Sequence, residues 1–337
     1  MNRRIVLLIV LLVLGGVAWW LASRAHHTTL DAPLSDFAIA DTASVDRIHI
    51  ADMHGRAIDL RRTPQGWRVN DLYETDQTKV DLLLRTFKRV EVRSPVPKSA
   101  EANVLKAMAS GGTKVEIYQG GKKPVKTWIV GHGSRDNFGT YMLLEVEGIG
   151  RSPSPFVMNM AGFTGILNTR FTTILDEWRA STVFRFTDLH DLKAVEVELP
   201  HAPAQSYHID HLEDGRVRLT DLQGNPLPLD TTLVRGALLP YQQLNYEYII
   251  RGMAPAKRDS LLKATPNHIV RVQDRTDKVT EARFWHLPYT GTEPVFDEAR
   301  PLHDPRHMYA LVQDTLLVMV QRASFDHILQ PASSLLR

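Results

Sequence analysis

The chain contains no cysteine. Disulfides, thiolate metal sites, a cysteine nucleophile and a lipidated N-terminal cysteine are thereby excluded. An excess of one charge sign is also lacking, since 40 Lys and Arg stand against 38 Asp and Glu. Arg3, Arg4 and Arg24 flank an apolar N-terminal run, and without them the balance is 37 basic to 38 acidic. A nucleic-acid partner therefore has no electrostatic footprint here. No G-x-S-x-G motif occurs. Gly131-His132-Gly133 and Gly148-Ile149-Gly150 do not sit between a strand and a helix with the lysine or spacing of a phosphate loop.

What is present begins with residues 5–22, an uncharged apolar run. As a helix it rises roughly 27 Å, close to a hydrocarbon core of about 30 Å. Arg3 and Arg4 precede it and favour a cytoplasmic N-terminus, which puts the bulk of the chain outside. Trp19 and Trp20 stand at the outer end, where indoles favour the headgroup level. Ser23-Arg24-Ala25 loosely resembles a signal-peptide cleavage site, but the tryptophans and Arg24 disfavour cutting there. The expected anchor is therefore an uncleaved helix over residues 1–23, followed by a linker over 24–36.

An internal repeat follows. Phe37, Ile39, Val45, Ile48 and Ile50 share their spacing with Phe184, Phe186, Leu192, Val195 and Val197, and Asp41 coincides with Asp188. At the other end, Val157-Met158 leads to Phe163 and Ile166-Leu167, as Val318-Met319 leads to Phe325 and Ile328-Leu329. Between these ends, residues 48–60 and 67–69 alternate apolar and polar around His54-Gly55 and Gln65-Gly66. Residues 194–199, 206–211 and 216–220 do the same around Asp214-Gly215. That is the period of strands with one buried face.

A helix is expected after Asp76 or Thr78 as cap, and its counterpart over 231–244 after Asp230, with Pro240 ending or kinking it. Residues 100–110 predict a further helix ending at Gly111-Gly112, with at most a remnant at 259–263 in the second half. Further strands are expected over 114–118, 125–130 and 141–146, and over 268–273, 281–287, 308–312 and 316–320. The fold class expected is α+β: two duplicated units over 37–170 and 184–330, each a mostly antiparallel sheet with one or two helices on one face. A connecting helix over 171–183 carries Trp178 as a wedge between units, and residues 331–337 form a tail.

Gly66-Trp67-Arg68-Val69-Asn70, Gly139-Thr140-Tyr141-Met142, Phe163 to Leu167, and Arg170-Phe171 leading to Trp178-Arg179 carry a family resemblance. The chain resembles the bacterial envelope family catalogued as domain of unknown function 4340, over most of residues 37–330. The resemblance implies a membrane-anchored or exported protein, often found beside ABC-transporter or gliding-type membrane components. It implies no catalytic residues.

Fourteen histidines invite a metal reading. His208 and His211 stand three apart, so a strand sends the rings to opposite faces. His303, Asp304 and His307 form the better set, because a loop through Pro305 could gather two imidazoles and a carboxylate around zinc. Ser134 lies near His132 and Asp136, in what reads as a hairpin turn. Gly120 to Pro124 forms a basic hairpin tip, solvated or touching anionic headgroups. No residue qualifies as catalytic and no cofactor is expected.

These readings converge on a single-pass protein of the inner membrane, held by residues 5–22 with a periplasmic bulk. The function expected is non-enzymatic, as an interaction or accessory subunit of an envelope or transporter complex, with another membrane or periplasmic protein as partner. A metal-assisted periplasmic hydrolase using His303, Asp304 and His307, or a glycan- or lipid-binding module, are the alternatives.

Overall fold

The computed structural model describes residues 32–290 and 302–337. The apolar run at 5–22 lies outside the described residues. Among the described residues, no helix is long and apolar enough to cross a membrane. The described residues divide into two compact units, the first ending at Ala180 and the second beginning at Ser181. Each consists mostly of antiparallel sheet with a few helices, an α+β architecture.

In the first unit the strands are β1 (Arg47–Asp52), β2 (Ala57–Thr63), β3 (Gly66–Val69), β4 (Tyr73–Glu74), β5 (Val90–Pro95), β6 (Thr113–Tyr118), β7 (Lys126–Gly133), β8 (Thr140–Val146), β9 (Gly150–Arg151) and β10 (Phe156–Met160). They pair in the order β4-β3-β2-β1-β6-β7-β8-β10-β5, with β9 beside β8. Strict alternation makes the sheet two-faced: Ile48 and Ile50 of β1 are buried, while Arg47 and His49 point the other way. Burial of each such aliphatic side chain contributes about 1.5–3 kcal/mol.

Helix Gln77–Arg89 packs Val80, Leu83 and Phe87 onto the Ile48 face. It begins where Asp76 accepts from the Thr78 amide at 3.0 Å. Trp128 fills the centre of that core, edge-on to Phe87 with centroids 5.0 Å apart. Helix Lys98–Gly111 packs Val104 and Met108 against Leu143 and Val157, on the opposite face.

In the second unit the strands are β11 (Thr182–Phe184), β12 (Leu192–Glu198), β13 (Tyr207–His211), β14 (Val217–Thr220), β15 (Leu244–Asn245), β16 (Tyr248–Ile249), β17 (His268–Asp274), β18 (Val279–Pro288), β19 (His303–Val312) and β20 (Leu316–Gln321). The main sheet runs β14-β13-β12-β17-β18-β19-β20-β16, and β11 pairs with β15 apart from it. Helix Thr231–Leu238, capped by Asp230, packs Val234 and Leu238 on one face. Pro240 falls in the 3-10 turn that follows, so the α-helix stops short of 244. Helix Pro255–Lys263 lays Leu261 and Leu262 against Trp285, Tyr309 and Met319 on the other face.

The two main sheets correspond strand for strand. The path β3-β2-β1-β6-β7-β8-β10-β5 is matched by β14-β13-β12-β17-β18-β19-β20-β16. The helices fall at the same points of the path, one after β4 or β14 and one before β6 or β17. Asp41 accepts from the Ala43 amide at 3.0 Å and Asp188 from the His190 amide at 2.8 Å, so the matched acids shape the same turn before β1 and β12.

Further features differ from the sequence reading, and the connecting helix expected over 171–183 is confined to Leu175–Trp178. The helices cover both faces of each sheet rather than one, because the Val104 and Leu261 helices pack on side chains of opposite parity to the main core. The remnant at 259–263 is the end of a full helix from Pro255. Val157-Met158 and Val318-Met319 are not equivalent. Met158 and Val318 face the main cores while Val157 and Met319 face away, and a shift of one residue exchanges faces. Trp178 is buried in the first unit's core, where its Nε1 donates to the Thr172 carbonyl at 2.9 Å. Residues 176–180 are held there as Asp76 and Ala180 amides bond to the Trp178 and Glu74 carbonyls.

Candidate functional site

The outward positions of β12, β13, β17 and β18 carry a charged ladder. Arg271 on β17 donates through Nη1 to Glu196 at 2.5 Å and Glu198 at 3.0 Å, and through Nε to Glu281 at 2.7 Å. Arg283 holds the other Glu281 oxygen at 2.8 Å. On β13, His208 lies between Asp210, at 3.2 Å, and Glu196, at 3.8 Å. Arg218 on β14 pairs with Asp210 at 2.8 Å. Burial raises the Asp210 and Glu281 carboxyls, but their arginine partners more than reverse this and both end below the usual range.

This ladder lines a hollow of about 570 Å³ bordered by Glu196, His208, Asp210, Arg218 and Asp221. Asp210 and Asp221 are held below the usual carboxylate range by their hydrogen-bond partners, a state suited to recognising a charged surface and unsuited to giving a proton near neutral pH.

The first unit has a ladder at the equivalent place with the signs exchanged at four positions, while Arg68 stands where Arg218 does. His49 stands opposite Asp59 and Glu116 as Glu196 stands opposite His208 and Arg271. Arg61 occupies the place of Asp210. Asp59 binds Arg47 and Arg61, each through Nε at 2.6 Å. Burial opposes ionisation of Asp59, yet these bonds hold its pKa low. Cores of like shape thus carry polar faces of unlike charge.

The metal set expected from the sequence does not converge. Residues 303–307 begin strand β19 rather than a free loop, with four residues bulged between the pairs His303–Pro288 and Met308–His286. Asp304 turns inward to accept from the Arg306 and His307 amides at 2.7 and 2.9 Å. His307 lies 3.5 Å from Asp304 and 3.3 Å from Glu247. His303 instead stacks near His286, centroids 4.6 Å apart. Among the described residues, no three His, Asp or Glu are placed to hold a metal.

His303 extends a row across three strands, with His286 and His268 beyond it. Nδ1 of His268 and of His286 is buried without a partner among the described residues. Burial, helped by His286, pushes His268 down to about 4. Burial and His303 lower His286 in the same direction.

His208 and His211 diverge, His211 bonding the Leu192 carbonyl at 3.1 Å. Ser134 donates to Asp136 at 2.5 Å, and His132 faces Tyr141 instead. The Ser134 amide bonds the Gly139 carbonyl at 2.8 Å, closing a hairpin turn. Apart from His208, weighed only as a metal ligand, the ladder residues were not singled out from the sequence. Their signal was charge at every second position, as in Glu196-Val197-Glu198 and Glu281-Ala282-Arg283.

No family model, curated protein or solved structure matches this chain.

Proposed function

We propose that this protein is a non-enzymatic, membrane-anchored subunit that binds another envelope protein through the charged faces of its sheets. The observation that carries the reading is the Arg271–Glu196–His208–Asp210–Arg218 ladder, in which the described acids and bases are committed to one another. A prearranged alternation of charge selects a complementary surface and steers its approach. The strand-for-strand correspondence of the sheets supports an internal duplication. With opposite signs at four equivalent positions, the two units would engage different surfaces.

In this reading residues 5–22 span the inner membrane with the N-terminus cytoplasmic, and the units lie in the periplasm. The motifs resembling the envelope family of unknown function point to a transporter-type complex of the ABC or gliding class. Mild detergent extraction of the full chain, followed by size-exclusion chromatography, tests this. Co-elution with a membrane protein at fixed stoichiometry is expected, weakened by Arg218→Glu. A chain that emerges alone as a monomer contradicts the proposal.

A further inference from the structure

A second hollow, of about 380 Å³, lies on the first unit and is lined by Arg47, Arg61, Arg62, Lys122 and Asp46. Its cations are arranged in advance. Arg47 lies 4.8 Å over the Tyr118 ring and Arg62 lies 4.9 Å over Trp67. Arg62 is fixed further by the Val45 and Thr42 carbonyls, at 2.9 and 3.2 Å. Asp59 takes Nε of both Arg47 and Arg61, so their terminal Nη groups make no further hydrogen bond among the described residues. Lys122, on the exposed hairpin tip, has no partner among the described residues. Asp46 is turned to the Gly120 amide at 2.9 Å, and Asp71 lies at the margin, 3.4 Å from Arg61.

Guanidinium forks with free Nη groups match the spacing of phosphate oxygens, and stacking on Tyr118 has already removed much of the freedom of Arg47. The volume admits a phosphate group with a few attached atoms. The equivalent face of the second unit has Ala194 and Asp210 in place of Arg47 and Arg61, so the feature belongs to the first unit alone.

We infer that the hollow formed by Arg47, Arg61, Arg62 and Lys122 is a binding site for a phosphate-bearing anion. The phosphate can be free or belong to a lipid headgroup. Titration calorimetry on the full chain in nonionic detergent separates these, with inorganic phosphate in one arm and chain-free glycerophosphoglycerol in the other. Binding of either supports the site. Glycerophosphoglycerol bound at least tenfold tighter assigns a lipid headgroup, and the reverse order assigns free phosphate. An Arg47→Gln/Arg61→Gln variant is expected to weaken binding at least tenfold. Lys122→Glu, an exposed change that leaves the fold alone, is expected to weaken it about threefold to tenfold by removing one charge and adding its opposite. Absence of binding in both arms at millimolar ligand overturns the inference. So does binding that Lys122→Glu leaves unchanged.

Discussion

Arg271 and Glu196 face each other across β17 and β12 with 2.5 Å between Nη1 and Oε1. The same guanidinium also holds Glu198 and Glu281. One cation thus keeps three carboxylates in register on neighbouring strands. In the first unit Glu116 occupies the place of Arg271, with His49 in the place of Glu196, and it pairs with Lys114 on its own strand at 2.6 Å. Exchange of this kind preserves the sheet while altering what its face presents.

Removing that cation leaves three acids together. Arg271→Ala is expected to lower stability by about 1–2 kcal/mol, a charge-assisted value discounted for partial exposure. Adding Glu196→Ala is expected to recover part of the loss, because it removes one of the stranded charges. Urea unfolding of the single and double variants checks this, and strict additivity would argue against coupling.

The histidine row makes stability depend on pH. His268 is held at about 4 in the folded state against an ordinary 6.5. The unfolded chain therefore binds more protons between those values, and stability is full above about 6.5 and lost progressively as pH falls toward 4. His286, His303, Arg322 and Asp326 surround the site, and Asp326 and the Leu329 backbone favour the charged form of His268. The expected loss on going from pH 7.5 to 4.5 is of the order of 1–3 kcal/mol. Urea midpoints at the two pH values measure it, and His268→Gln is expected to reduce the difference.

Adjacent glycines should respond oppositely. An added Cβ at Gly111, the last helical residue, meets nothing within 4 Å, whereas at Gly112 it stands 2.4 Å from the Met108 carbonyl oxygen. Gly111→Ala is expected to stabilise by up to about 0.5–1 kcal/mol through lost unfolded-state freedom. Gly112→Ala is expected to destabilise by about 1–3 kcal/mol, since backbone must move. Thermal unfolding of the two variants side by side decides.

The start of each unit was legible in the sequence because Asp41 and Asp188 shape one turn and the apolar residues after them alternate into one core. The far end misled, because Val-Met at 157 and at 318 looks alike while period two sends the pairs to opposite faces. Helix Pro255–Lys263 was barely legible, since it buries no side chain fully and carries no apolar stripe. Apart from His208, the ladder escaped notice because outward charge on a strand ordinarily means only solvent. Its meaning came from cross-strand register, which a single sequence does not display. The set at His303 failed for a related reason, as pairing with β18 drew Pro305 and its neighbours into a bulged strand and turned Asp304 back onto its own backbone.

The central claim is that the charged face of the second unit contacts another envelope protein. A photo-cross-linking amino acid placed at Arg218, beside the hollow, tests it in intact cells. Light-dependent covalent adducts with one discrete membrane or periplasmic protein are expected, and they should vanish when the same group is placed at buried Val234. A chain that forms no adduct from Arg218, and emerges as a lone monomer after mild extraction, would contradict the account.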